Sequence, residues 1–339
     1  MKHMTHIAIL ALCATLTLAA CDENRHTTAP EDQKVLIGFA TLSQSTPVKA
    51  GDDEAGFPHA NFGVWGHATQ TGQSAYLLWE EDAMSQVNGD GNGNYHPTSD
   101  AYWFSGYDYN FIAIAPYTDG AENLSDFVVG TNKDALSFSF DMGEVYEDSK
   151  PGVDLMGAIA KTHVDRAADQ EAQNLTFQHL TSKIDIKVKF EQASGEVALP
   201  SLPKVSGMRL EHVDSDASYS ISYVREGEIA ISCAIGENSD SDILLSPTNP
   251  TDSEWWTVTT YILPQNVSNF KLYIDFNIGN DTYENFPITL TFPATDREYG
   301  INQWHTWKIT LTPSLFVFFE SSVIDWEDGG QADDEIGFK

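Results

Sequence analysis

Ile184-Asp185-Ile186-Lys187-Val188-Lys189-Phe190 alternates apolar and charged side chains without a break. Successive side chains of a strand point to opposite faces, so this stretch predicts one apolar face on a core and one charged face outward. The same period of two recurs in residues 35–41, 62–66, 109–115, 219–223, 270–276 and 307–312. Turn-forming runs separate these stretches: Asn88 to Gly93, Asp119-Gly120 and Gly279-Asn280-Asp281. No amphipathic helix of more than about three turns is legible. Many short alternating strands between turn signals predict an all-β chain built as β-sandwiches.

The length of 339 residues suits two domains, each large enough to bury a core. The stretch 161–173 is polar and without period, and the division is placed there: 34–165 for an N-terminal sandwich and 166–339 for a C-terminal one. Fifty acidic residues against eighteen basic ones give a formal charge of -32. A field of that sign repels phosphate backbones, so nucleic acid is not an expected partner. Of three cysteines, Cys233 lies in an alternating apolar run and reads as a small core residue rather than a nucleophile.

The first residues carry an address. Lys2 precedes the apolar run Ile7 to Leu18, which is too short to span a bilayer comfortably and reads as a signal peptide over residues 1–20. Leu18-Ala19-Ala20-Cys21 resembles the lipobox of bacterial lipoproteins. That resemblance implies cleavage between Ala20 and Cys21, acylation of the Cys21 thiol and anchoring in the cell outer membrane. Two or more acyl chains hold stably where one does not. Residues 21–33 are polar, contain Pro30 and read as a flexible tether. The acids directly after Cys21 resemble the surface-export signal of some Bacteroidales lipoproteins, which implies exposure on the cell surface.

Eight segments in order carry a second resemblance. They are Phe39-Ala40-Thr41, Val48-Lys49-Ala50, Phe62 to Gly66, Tyr102 to Pro116, Asp154-Leu155-Met156, Leu175 to Ile184, Tyr261 to Gln265, and Trp304 to Thr312. Together they resemble the fimbrillin family of Bacteroidales, subunits of type V pili and related surface lipoproteins. Membership implies two transthyretin-like β-sandwich domains in tandem. It also implies assembly with other fimbrial subunits by donor-strand exchange, after a surface protease removes an N-terminal strand. A sandwich lacking one strand exposes unpaired backbone groups along an apolar groove, and a strand from the next subunit fills it.

Within that resemblance, cleavage between Lys49 and Ala50 by a trypsin-like protease would free the strand 35–42 and move the subunit into a fimbrium. The alternative is that Lys49 is a loop residue of an uncleaved lipoprotein. Arg25 is a poorer cut site, because cleavage there removes only tether. The late apolar segment Leu315 to Trp326 reads either as a donor strand or as the last strand of its own sandwich; sequential strands usually pair, which favours the latter.

Other motifs point nowhere specific. Asn88 to Gly93 imitates the start of a calcium loop, but the twelfth position is Ser99, and a hairpin turn is expected instead. Glu80-Glu81-Asp82 offers carboxylates, yet neighbours on a strand face opposite ways and make a poor catalytic dyad. His163 and His179 show no metal-ligand spacing, and His179 is expected to be a hydrogen-bonded sandwich residue. The expectation is therefore no enzyme, no cofactor and no metal. Aromatics such as Trp65, Trp79, Tyr102 and Trp103 are expected in the core. In Trp255-Trp256 one indole must leave it, making this pair the candidate contact for a glycan or host ligand in a second reading, a monomeric binding lipoprotein.

Overall fold

The computed structural model describes residues 34–43, 59–79, 84–91, 93–117, 124–143, 146, 152–191, 203–236, 240–249, 254–292, 297–312 and 317–325. It is all-β, as the alternation predicts. In chain order the first strands are β1 (Phe39–Ser43), β2 (Asn61–Thr69), β3 (Tyr76–Leu77), β4 (Ser85–Gly89), β5 (Asn94–Pro97) and β6 (Tyr107–Ala115). There follow β7 (Leu124–Val129), β8 (Ala135–Asp141), β9 (Met156–Val164), β10 (Gln173–His179) and β11 (Ser182–Phe190). Next come β12 (Lys204–Asp214), β13 (Asp216–Arg225), β14 (Glu228–Ile235), β15 (Asp240–Leu245) and β16 (Trp256–Ile262). The last are β17 (Gln265–Asn266), β18 (Lys271–Ile278), β19 (Asp281–Ile288), β20 (Glu298–Tyr299), β21 (Gln303–Leu311) and β22 (Val317–Asp325).

The largest sheet runs β3-β2-β4-β5-β1-β10-β9-β6, and β6 pairs back onto β2 along Gly63↔Ile114 to Thr69↔Asp108. The sheet is thus closed on itself, a solution that removes exposed edges. Its interior holds Ile37, Phe39, Phe62, Val64, Tyr109, Phe111, Leu175 and Phe177. The alternating stretches predicted one buried face each. β2 instead buries seven consecutive residues, Phe62 to Ala68, and β6 buries Phe111 to Ala115. The reason is a second layer: Trp65, Ile112, Ile114 and Ile159 point out of the closed sheet and join Leu136, Phe138, Phe140, Tyr219 and Ile221 in another core.

That second core continues through the rest of the chain. Three four-stranded sheets enclose it, ordered β14-β13-β8-β7, β15-β12-β18-β19 and β16-β11-β21-β22. β11 buries Ile184, Ile186 and Val188 completely while Lys187 and Lys189 face the other way, as the alternation requires. Pairing crosses residues 165 and 166 in two places. β10 lies in the closed sheet, and the β13–β14 hairpin extends β8 from Asp216↔Asp141 to Ser222↔Ala135.

Close packing makes some glycines obligatory. A Cβ on Gly66 would lie 2.3 Å from the Trp79 ring and 2.7 Å from Leu78. Gly66→Ala is expected to displace that indole and lower stability by about 1–3 kcal/mol, read as a shift of the thermal midpoint. An unchanged midpoint would show that the indole is free to move aside.

Candidate functional site

β1 is the element that the sequence nominates for removal, and its surroundings define the site. It sits inside the closed sheet between β5 and β10. It runs parallel to β10 from Phe39↔Gln173 to Ser43↔Phe177, and antiparallel to β5 through Phe39↔Tyr95 and Ala40↔Asn94. The residues before it are held too: Ile37 N–H donates to the Ala101 carbonyl at 2.9 Å, and Trp103 N–H donates to the Val35 carbonyl at 2.9 Å. Phe39 is fully buried, its ring edge-on to Phe62 at 5.8 Å and Phe111 at 5.3 Å. Taking β1 out would leave β5 and β10 with unpaired edges above an aromatic floor of Phe62, Phe111 and Phe177.

Where β1 ends, two of the motifs meet. His179 Nδ1 lies 2.7 Å from Asp154 Oδ1, with both side chains largely buried. The expected hydrogen bond of His179 is thereby found, with a carboxylate twenty-five positions away in the chain. His59, where the described chain resumes, joins them. Burial pushes its pKa below the ordinary histidine value, while Asp154 pulls the other way. Lys49 and Ala50 lie between Ser43 and His59, outside the described residues, as do Ala20 and Cys21.

The C-terminal segment lies on its own sheet. β22 pairs antiparallel with β21 from Gln303↔Asp325 to Leu311↔Val317, and among the described residues no strand covers its other side. Trp256 packs against the core, while Trp255 is half-buried on the opposite face with Lys189 Nζ 5.1 Å from its ring centre.

The other motifs resolve simply. The expected connection runs from β4, which ends at Gly89, to β5, which begins at Asn94, with Asp90 accepting from the Asn94 N–H at 3.2 Å and from Asn94 Nδ2 at 3.1 Å. Glu80, Glu81 and Asp82 fall outside the described residues. His163 is exposed and pairs with Asp108 at 2.7 Å, and this hydrogen bond holds its pKa above the ordinary value. Among the described residues no group of three potential metal ligands forms, and no helix is long and apolar enough to cross a membrane. Cys233 is half-buried against the core, and burial pushes its thiol up.

One feature the motif reading passed over is the outer face of the β16-β11-β21 sheet. Asp185 is its organising group: Thr259 Oγ1 donates to Oδ1 at 2.6 Å and Trp304 Nε1 donates to Oδ2 at 2.8 Å. Lys183 Nζ stands 4.1 Å over the Trp304 ring. The signal was present in the alternating Lys187 and Lys189 of the opening stretch, but single-strand periodicity does not show that β21 brings Lys308 alongside.

Among solved structures the chain is similar in fold to a candidate cell adhesion protein from Bacteroides ovatus. The TM-score is 0.52 and the identity 15%, over 86% of this chain and 98% of that one. It is likewise similar to a fimbrial protein from Bacteroides vulgatus, with TM-score 0.50 and 16% identity over 85% and 99% of the two chains. At such identities the likeness is one of fold. No curated protein matches the sequence. The model of the fimbrillin-like family matches residues 54–326, and the chain belongs to that family.

Proposed function

We propose that the protein is a structural or accessory subunit of a fimbria-like surface appendage, assembled by donor-strand exchange and contributing to adhesion. The observation that carries this reading is the position of β1. It is a short strand that completes a closed sheet, lies at the N-terminal end of the fold, and fills an aromatic groove with Phe39. Family membership and the fold shared with a fimbrial protein support it. In this reading lipid on Cys21 delivers the subunit to the outer membrane with β1 still in place, so that assembly is blocked. Cleavage between Lys49 and Ala50 then frees β1, and a partner subunit's strand replaces it. The tandem transthyretin-like organisation with a division near 165/166 belongs to the same proposal, with β10 and the β13–β14 hairpin reaching back across that division.

The test is N-terminal sequencing of protein sheared from cells, together with electrophoresis without boiling. The expected result is a chain beginning at Ala50 and a ladder resistant to detergent. A chain that always begins at Cys21 and runs as a monomer would overturn the exchange step. It would leave the second reading, a monomeric surface lipoprotein that binds a glycan or host ligand. Trp255, half-buried at the rim of a lysine-bearing face, favours keeping that reading in view.

A further inference from the structure

Charged residues make up 20% of the chain, yet residues 69–79 and 101–107 contain none. The fold brings these two segments together at one end of the closed sheet. β2 and β3 form a hairpin with Ala68 opposite Tyr76, and β2 pairs with β6 as far as Thr69↔Asp108. The hairpin loop therefore stands beside the residues that lead into β6. There Tyr76, Phe104 and Tyr107, each half-buried, form a triad of rings. Tyr76 is edge-on to Phe104 at 6.4 Å and to Tyr107 at 5.9 Å, and Phe104 is tilted to Tyr107 at 5.9 Å. The buried Tyr109 hydroxyl holds the triad from inside, accepting from the Phe104 N–H at 2.6 Å and hydrogen-bonding the Tyr76 hydroxyl. Rings fixed in this way lose little freedom when a ligand settles on them.

Carboxamides stand next to the rings. A Cβ on Gly106 would lie 3.8 Å from Gln70 Nε2 and meet nothing else within 4 Å, so the amide reaches the open backbone between Phe104 and Tyr107. Gly106 takes φ +78°, a left-handed conformation that keeps this position free of a side chain. The Gln73 N–H donates to the Gln70 carbonyl at 2.9 Å, closing the loop on which both glutamines are exposed. Neither carboxamide hydrogen-bonds another group among the described residues. The charges around this end are answered already. Asp108 pairs with His163 at 2.7 Å, Arg166 pairs with Asp169 at 3.4 Å, and Asp100 accepts from the Tyr102 hydroxyl at 3.3 Å. The Lys34 ammonium lies 5.4 Å from the centre of the Tyr102 ring.

We infer that this end of the closed sheet binds a neutral oligosaccharide, with a pyranose ring stacked on Tyr107 and Phe104 and its hydroxyls on Gln70 and Gln73. The electron-rich face of an aromatic ring suits the C–H face of a sugar. Each carboxamide offers two N–H donors and a carbonyl acceptor, the mixed set that neighbouring hydroxyls require. Aromatic side chains with a few placed polar groups are the common build of a small-ligand site. The missing charge decides the class. An anionic sugar finds no ammonium group within the two segments and meets the field of a chain at -32. A protein or membrane surface calls for protruding apolar anchors, and none of the exposed large apolar side chains belongs to these segments. The inference supplies a ligand class for the adhesive part of the function, at a place distinct from Trp255 beside β11, and does not depend on strand exchange.

The experiment is calorimetric titration of the uncleaved chain with maltoheptaose, cellohexaose and mannohexaose, with polygalacturonate as the anionic control, at two salt concentrations. At least one neutral oligosaccharide is expected to bind, with an affinity that salt leaves unaltered, and polygalacturonate is not. Tyr107→Ala should weaken binding about tenfold or more, the effect of losing an aromatic anchor. The Gln70→Ala/Gln73→Ala double variant should also weaken it, and because both side chains are exposed its melting temperature should match that of the native chain. This second variant keeps loss of binding apart from loss of fold. Absence of binding to all three neutral oligosaccharides, preference for polygalacturonate, or unaltered affinity in both variants would each overturn the proposal. Loss of binding in Trp255→Ala alone would overturn it too, and would place the ligand beside β11. So would cosedimentation of the native chain, but not of Tyr107→Ala, with phosphatidylcholine vesicles in the absence of oligosaccharide binding. Subunit ladders from cells expressing the glutamine double variant should be unchanged, which keeps this outcome separate from that of the assembly reading.

Discussion

Phe39→Ala is expected to lower the free energy of unfolding by about 3–5 kcal/mol, measured by denaturant titration of the uncleaved chain. The ring is fully buried and makes edge-on contacts with Phe62 and Phe111, so removing it forfeits both transfer energy and packing. β1 is five residues long and is gripped by backbone pairs on both sides, so the cavity cannot close by moving the strand alone. A loss below about 1 kcal/mol would mean that β1 contributes little to the closed sheet. The groove argument would then fail with it, because a strand that hardly matters leaves no empty site worth filling. The variant separates stability from processing: a weakened β1 should open more often, so protease should cut the Phe39→Ala chain faster under native conditions.

Much of this was legible before any coordinates. The period of two named the strands, and Asp154 and His179 stood in two segments whose joint occurrence already suggested one fold. The seven-residue alternation of β11 predicted its buried and outward faces correctly, because a strand in one sheet with one core obeys a local rule. Two things were not legible, for the same physical reason. β2 and β6 are buried on both faces because a second sheet packs outside the closed one, and such packing depends on residues of β7, β8 and β13 that the local period of β2 and β6 does not contain. The placement of Lys308 between Lys187 and Glu320 likewise depends on register, set by β11 and β21 running parallel and β22 antiparallel to β21. Trp255 and Trp256 show the intermediate case. Adjacency required the two indoles to face opposite ways, but not that a lysine would cover the outward one.

Two buried histidines give the fold a pH dependence that can be isolated. His67 on β2 is nearly inaccessible, and burial, with Lys133 adding to it, pushes its pKa down to about 4. His305 on β21 lies against Tyr299 with ring centres 3.3 Å apart, and burial pushes it down to about 3. Both are neutral in the folded chain, whereas in the unfolded chain each takes up a proton near 6.5. The unfolded state therefore binds more protons between these values. The stability of the neutral folded form is fully present above about pH 6.5 and is lost as pH falls towards 4 and then 3. Each group contributes a slope of about 1.4 kcal/mol per pH unit, so the pair is expected to remove on the order of 4 kcal/mol between pH 6.5 and 4.5. Protonating the carboxylates in the same range relieves self-repulsion and has the opposite sign, so the raw profile is a sum. The difference from a His67→Leu/His305→Phe variant removes that common part. Neither replacement strands a partner, since His67 Nδ1 has no hydrogen-bond partner. Gln303 Oε1, which faces His305 Nε2, also accepts from the Gly300 N–H at 2.7 Å. The variant is expected to lose stability less steeply below pH 6.5 than the native chain, by denaturant titrations at half-unit steps. Superimposable profiles would show that the two imidazoles protonate without unfolding anything, and that their burial carries no cost.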